Sequence, residues 1–534
     1  MRSVWSGSMR GLRKILFFSI LSISLPLEAR LIQILHTNDV HSFFEHSDHQ
    51  PAVGGYARLK SLIEKYKKEG LDKNIPTLVV DAGDFMEGNL FYMAGEGRRS
   101  FDIQNQMGYD AVVVGNHDYL MGTQSLDDIV GDVPPNFAYL GANMVIHDKY
   151  TNLKNHMRPY KEFEIDGIKL AFLGLTTDEI VFEWRVTDGK INKPISVAKK
   201  YEKILKKRGN NVVIALTHLG LKKDKKLAKK TKYIDLVIGG HSHDSLYRPY
   251  FQKNRLKKKV PIVQAGQHGE KLGRIIIDID KNGIRKVVKY ELIDVVNIDK
   301  DEEVDDYVQE TKKEVEDYFG KKYLEELVGY SALQRSTENV RMLWSFYVTE
   351  AMLDSVGSQV SMHTPGMTSG NFPIGDITRK DVMNSHPRWF DFKDKFGWYV
   401  YRAKVPGVLI KAVFQAVMNL GIPLSISGVT FKWKKNIFGK KVVRNIRING
   451  KRIRWWKGYD MAFPEGVIRG GLAISPLVGW ILRKSYRTKV TVFDAIEARI
   501  KRDGNIPENY LNSSNKENMK STGRPIDRVF IPAN

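Results

Sequence analysis

The chain has 534 residues, with 84 Lys and Arg against 61 Asp and Glu, a formal charge of +23 and no cysteine. That length exceeds what a single hydrophobic core ordinarily serves, so at least two domains are expected. The lack of cysteine excludes disulfides, thiolate metal ligands and a lipid-modified N-terminal cysteine, so a metal site must draw on His, Asp, Glu, Asn or Gln.

At the N-terminus, Arg10, Arg13 and Lys14 precede the apolar run "ILFFSILSISLPL", and "LEA" ends at Ala29. Basic, apolar and small segments in that order predict an export signal over residues 1–29 and a periplasmic or secreted location. From residue 31, short apolar runs alternate with helical patterns. "LIQILHTND", "TLVVDAGD", "AVVVGNHD", "KLAFLGLTT", "NVVIALTHLG" and "YIDLVIGGHSH" read as buried strands. In "YARLKSLIEKYKKEG", Leu59, Leu62, Ile63 and Tyr66 fall at helical spacing, and Gly70 is placed to close the helix. Repeated strand–loop–helix units predict a layered α/β domain over residues 30–297. A charged stretch over 298–329 reads as a solvated linker helix. Residues 330–534 mix helices such as "GVLIKAVFQAVMNLG" with strands such as "GVTFKWKK" and "VVRNIRING", an α+β domain, and "GRPIDRVFIP" reads as a strand returning near the end. The lysine runs "KKDKKLAKK" and "KNRLKKK" read as solvated faces with a weak attraction for anionic envelope polymers or lipid. No aromatic-interleaved basic motif suggests specific nucleic-acid binding.

The strands end in polar residues: Asp39 and His41, Asp84, Asn116 and His117, His218, and His241 and His243. This set supplies nitrogen and oxygen ligands for two divalent ions with a carboxylate to bridge them. Two such metals activate water and stabilise the charge on a transferring phosphoryl group. Mixed His, Asp and Asn ligation suits Zn, Mn, Fe or Co better than Ca or a pure Mg site. The other eight histidines (His36, His46, His49, His147, His156, His268, His363, His386) read as satisfied or solvated side chains, with His268 in a Gly-rich loop the strongest exception.

The order of motifs resembles the calcineurin-like metallophosphoesterases, and the whole chain after residue 31 resembles their two-domain exported branch, the 5′-nucleotidases with UDP-sugar hydrolases and 2′,3′-cyclic-nucleotide phosphodiesterases. "ILHTNDVHS", "GGYARL", "DAGD", "VVGNHD", "THLG", "IGGHSH" and "QAGQHGEKLG" carry the likeness in the first half, and "STENVRMLWSFYVTEAM", "GDITRKDV", "SGVTFKW", "GYDMAF" and "GRPI" in the second. The resemblance implies a four-layer sandwich of two packed mixed sheets flanked by helices, then a linker helix and a C-terminal α+β substrate domain. It implies that Asp39, His41, Asp84 and His243 hold one metal and that Asp84, Asn116, His218 and His241 hold the other. His117 would be the non-ligand imidazole facing the scissile ester, and a metal-bound hydroxide would attack phosphorus in line.

The sequence departs from that pattern in places. The branch carries an Asp, paired with the catalytic His, where this chain has Leu120. Glu87 lies three residues after Asp84, the spacing that supplies this carboxylate in the related Ser/Thr protein phosphatases, so it either replaces the missing Asp or is a loop carboxylate in solvent. His363 and Thr368 stand where relatives carry the Asn and Arg of a substrate-binding segment. Gly466 and Leu472 stand at and beside a nucleobase-clamping ring. Trp455 and Trp456 read as core residues. The expected function is hydrolysis of a small-molecule phosphomonoester or diester with altered specificity. The alternatives are a nucleotidase or cyclic phosphodiesterase with a rebuilt base pocket, or a catalytically weak envelope-binding protein.

Overall fold

The apolar runs become strands, and each ends where the polar residues begin. In the computed structural model, residues 30–47, 50–332, 340–369, 373–421, 423–474, 479, 483–507, 510 and 528–531 are described. The expected export signal and the "GRPI" segment lie outside them. Among the described residues no helix is long and apolar enough to cross a membrane.

Strands Arg30–Thr37, Thr77–Asp81, Ala111–Val113 and Ala138–Leu140 run parallel in a seven-stranded sheet, with the antiparallel pair Lys271–Asp280 and Gly283–Asp294 at one side. Strands Ile168–Thr176, Val212–His218, Leu236–Gly239 and Lys259–Val263 run parallel in a six-stranded sheet with antiparallel edges. Parallel strands need both faces covered, which is why they read as continuous apolar runs. Ile32, Ile34, Val80 and Val113 meet Phe172, Ile214, Leu216 and Ile238 between the sheets, all buried. The outer faces carry helices, Tyr56–Asp72 on the first sheet and Pro194–Lys207 and Leu221–Lys230 on the second. This is the four-layer arrangement.

Two local expectations change. Helix Tyr56–Asp72 continues past Gly70, because that glycine serves close packing: a Cβ there would stand 2.4 Å from Thr77 Oγ1. The linker helix spans Glu302–Phe319 and is not solvated all round. Val304, Val308, Thr311 and Val315 are buried at helical spacing against the first domain, and Asp301 caps its N-terminus.

Beyond the linker, a six-stranded sheet has the order Tyr486–Thr491, Tyr399–Pro406, Gly458–Pro464, Val360–His363, Leu424–Ser427, Arg528–Ile531. The returning strand therefore falls on Arg528–Ile531, antiparallel to Leu424–Ser427. Helices Val340–Val356, Gly407–Leu420 and Val492–Asp503 pack in this part of the chain. One apolar cluster runs from Leu59 and Phe101 in the first domain through Val304 of the linker to Trp344, Trp389 and Phe493, so the two parts share a continuous core.

The sheets approach closely at Gly174, where an added Cβ would lie 2.3 Å from Leu140 Cβ. Gly174→Ala is expected to lower stability by about 1–3 kcal/mol in urea unfolding. Gly209→Ala, where the backbone is left-handed but nothing lies within 4 Å, should cost less.

Candidate active site

The polar strand ends of both sheets converge. Asp39 and His41 follow the first strand, Asp84 the second and Asn116 the third, while His218 ends one strand of the other sheet and His241 and His243 follow its neighbour. The turns are tight. Asp39, His41, Asp84, Glu87, His241 and His243 all have φ between 51° and 79°. Non-glycine residues rarely adopt this region, at a cost of about 1–3 kcal/mol each, so the surrounding structure holds them there.

Potential metal-ligating atoms of Asp39, His41 and His243, and of Asp84, His218 and His241, form two clusters, and Asp84 also groups with His41 and His117. Backbone carbonyls orient the imidazoles. His41 Nδ1 lies 2.9 Å from Glu87 O and His218 Nδ1 2.7 Å from Ala82 O, so each donates Nδ1–H and turns Nε2 inward. His243 Nε2 lies 3.2 Å from both Asp39 Oδ1 and His41 Nε2, and His218 Nε2 lies 2.9 Å from Asp84 Oδ2. Asp39 accepts hydrogen bonds from Asn38 Nδ2 and the His241 backbone N–H. Burial alone would raise the Asp39 carboxyl, but the imidazoles of His243 and His218 together more than offset this and leave it at about 2. Asp84 is held well below the carboxylate range, since its neighbours, His218 first, outweigh burial. Asn116 is fully buried, yet among the described residues neither Oδ1 nor Nδ2 has a hydrogen-bond partner. Two carboxylates, inward-turned imidazoles and a bare amide oxygen are a donor set that fits divalent cations.

His117 stands beside this set, with Nε2 3.9 Å from Asp84 Oδ2. The Glu87 carboxylate lies against His117 Nδ1, and Arg388, from the C-terminal domain, pairs with the same carboxylate oxygen. Arg388 Nη1 is 3.1 Å from His117 Nδ1, and its Nε donates to Met367 O at 3.1 Å. Glu87 is 1% exposed, so it is not a loop carboxylate in solvent. Asp118 turns away from His117 and accepts from the backbone N–H groups of Gly115 and Met86. Leu120 lines a cavity that starts at His117.

Arg388 and Glu179 are the charged residues that sequence reading missed. Glu179 lies 3.5 Å from His241 Nε2 and 3.4 Å from Lys223 Nζ, and these neighbours outweigh burial and bring its carboxyl to about 2. The only cue to Arg388 was "HPRWF", which matches no metal-ligand spacing. Thr368 donates to Pro365 O and reaches no charged group, so the guanidinium comes from Arg388 instead. Gly466 leaves room for the Trp398 indole, which an added Cβ would meet at 2.3 Å. Leu472 falls in helix Glu465–Ile474, and its side chain lies outside the described residues. Two expectations are corrected. Trp455 and Trp456 are 54% and 79% exposed and are not core residues. His36, His363 and His386 are buried, and among the described residues neither ring nitrogen of His36 has a hydrogen-bond partner. His268 stacks on Phe43 at 3.8 Å, and its ring is 6.0 Å from that of His41.

The fold and the cluster of candidate ligands are of metallophosphoesterase type, and comparison with known proteins agrees. Residues 32–245 match the calcineurin-like phosphoesterase family. The chain is 28% identical over 457 residues to the trifunctional nucleotide phosphoesterase protein YfkN of Bacillus subtilis, covering 76% of this chain and 29% of that protein. It is 30% identical over 300 residues to the 5′-nucleotidase of Rattus norvegicus, covering 49% of this chain and 50% of that one. The chain thus spans half or less of the length of these two relatives. Among solved structures, the 5′-nucleotidase precursor of Thermus thermophilus superposes with a TM-score of 0.75 at 20% identity, over 89% of this chain and 97% of that one. The Thermus thermophilus sulfate thiohydrolase SoxB superposes with a TM-score of 0.73 at 16% identity, over 90% and 96%. At such identities the structures speak for the fold alone. Residues 32–245 are thus a calcineurin-like phosphoesterase domain, and the chain as a whole is similar in sequence and fold to 5′-nucleotidases.

Asp224 supports the strand that ends at His218. Its carboxyl is buried beneath Thr217 Oγ1 at 2.7 Å, and burial raises it from 3.8 to about 7. A carboxyl raised on folding favours the folded state at low pH, and that contribution is lost as pH climbs toward the folded value. The Asp224 contribution, read as the difference in unfolding free energy between the native chain and Asp224→Asn in urea titrations, should therefore fall between about pH 4 and 7.

Proposed function

We propose that this chain is an exported hydrolase of phosphomonoesters or diesters that works with two divalent ions, Zn, Mn, Fe or Co. The bare Asn116 amide carries the reading. A buried polar side chain without a partner costs about 1–3 kcal/mol, and a cation beside Asn116 Oδ1 removes much of that penalty. Asp39, His41, Asp84 and His243 would hold one ion, and Asp84, Asn116, His218 and His241 the other. Such a pair supplies water activation and offsets charge on the phosphoryl oxygens.

The chain's own groups do the rest. Water gives up a proton to solvent and its oxygen forms the new bond to phosphorus as the bond to the alcohol oxygen breaks on the opposite side. His117 lies outside the ligand set and is placed to protonate that leaving oxygen. Glu87 accepts from His117 Nδ1, which fixes the ring and directs Nε2 toward the ligand cluster. In this reading Glu87 does the work of the carboxylate absent at Leu120. Arg388 neutralises Glu87, so a buried anion is not left unpaired.

Export rests on the N-terminal pattern of residues 1–29, periplasmic or secreted being the two destinations it serves. A catalytically weak binding protein is the poorer reading, because a site with no ion has no use for two buried carboxylates and a bare buried amide. Fold likeness does not choose the substrate, since the same architecture serves a protein titled a sulfate thiohydrolase.

Protein loaded with Mn or Zn should hydrolyse p-nitrophenyl phosphate and lose the activity to a chelator. His117→Ala and Glu87→Gln should each lower kcat by about 10²–10⁴-fold while bound metal, measured on the same samples, stays constant. Full activity in Glu87→Gln would remove Glu87 from the mechanism.

A further inference from the structure

The cavity beyond His117 is larger and more apolar than phosphate hydrolysis requires. It measures about 740 Å³, inside the roughly 300–1,000 Å³ of small-molecule sites. His117, Glu179, Thr364 and Arg388 are its polar side chains apart from two indoles, and the rest is aliphatic or phenyl, including Phe182, Met362, Ile410, Val413, Val417 and Met461.

Helix Gly407–Leu420 explains the lining. Ile410, Phe414 and Met418 are buried in their own domain's core. Val413 and Val417 are only half-buried and Ala416 is exposed, and all three line the cavity. A helix with an apolar stripe toward its core and a second apolar edge toward an open cavity is suited to an apolar ligand.

Ring geometry argues against a nucleoside. Phe390 stacks on Trp398 at 5.0 Å and 19°, and the guanidinium groups of Arg185 and Arg469 lie over its ring at 5.3 and 5.2 Å. Phe414 stacks on Phe431. Among the described residues these rings are already engaged, and the walls offer few partners for ribose hydroxyls or base edges.

We propose that the alcohol half of the substrate is a long hydrocarbon chain, so that the enzyme cleaves a lipid-like phosphoester whose chain lies along helix Gly407–Leu420. The inference rests on the hydrolase reading above. A second feature assigns the source to an anionic bilayer. The turn between strands Val429–Lys435 and Lys441–Ile448 presents Ile437, 93% exposed, and Phe438, 79% exposed, between Lys434, Lys435, Lys440 and Lys441. Apolar tips ringed by lysine suit insertion among anionic headgroups. Asn419, near the end of the cavity-lining helix, bonds the Lys441 backbone at 2.8 and 2.9 Å, which ties the turn to the cavity wall.

The test uses the metal-loaded full chain with ethyl, butyl, octyl and dodecyl phosphate, AMP and p-nitrophenyl phosphate. kcat/KM should rise by up to about fourfold per methylene until the cavity is filled, with AMP below octyl phosphate. Val417→Asp should shrink the dodecyl-to-ethyl ratio. Ala416→Trp, at an exposed position, should do the same if the first variant does not fold. Binding of dodecylphosphonate, measured by calorimetry, reads the cavity without turnover. Hydrolysis of the aryl phosphate with no chain-length dependence, or a preference for AMP, overturns the lipid assignment and leaves the hydrolase reading standing. Chain-length-dependent phosphonate binding with no hydrolysis of any ester overturns the hydrolase reading and keeps the chain site. The protein should sediment with phosphatidylglycerol-containing vesicles more than with phosphatidylcholine alone, and the double substitution Ile437→Asp, Phe438→Asp should reduce this. Equal sedimentation with both vesicle types overturns the bilayer source.

Discussion

Two buried carboxylates set the terms for the first domain. Asp39 and Asp84 sit where the two sheets meet, each almost wholly out of water. An unpaired charge there would be severely destabilising, so the surrounding groups are arranged to meet it. Backbone N–H groups and imidazoles face the oxygens, and carbonyls of Ala82 and Glu87 fix the orientation of His218 and His41. The left-handed residues at the strand ends are the local consequence. Chains leaving a sheet must turn sharply to aim several polar side chains at one point, and the packed sheets beneath hold that strain.

Glu87 couples this cluster to the rest of the protein. Its carbonyl oxygen engages His41, its carboxylate engages His117, and the same carboxylate meets Arg388 from a segment 301 residues away. One residue thus links a histidine of the polar cluster, the imidazole beside it and the second domain. The continuous apolar core from Phe101 to Phe493 supports this junction, because it holds Arg388 in place relative to a glutamate it could not otherwise find. The cavity opens at the same junction, with walls from both domains.

Much of this was legible in the chain. Continuous apolar runs identify parallel strands because both faces of such sheets are buried, and polar residues at their ends mark the site because strand ends are where polar groups reach a cleft. The Asp39, His41, Asp84, Asn116, His218, His241 and His243 set could be read this way. The spacing of Glu87 from Asp84 raised it as a candidate, but periodicity could not say whether its side chain faced His117 or water. Gly70 reads as a helix end because a glycine that permits close packing and one that caps a helix look alike in sequence. Trp455 and Trp456 were misplaced because apolar character alone does not distinguish a core residue from an exposed one.

The sequence by itself determined the strand pattern, the ligand types and the absence of thiolate chemistry, since these depend on residue identity and short-range spacing. Only the tertiary structure decided that Glu87 meets His117, that Arg388 rather than Thr368 brings a guanidinium to the site, and that the cavity behind Leu120 is apolar. Each of these is a contact between residues distant in the chain, and packing across the domain junction, not local pattern, specifies such contacts.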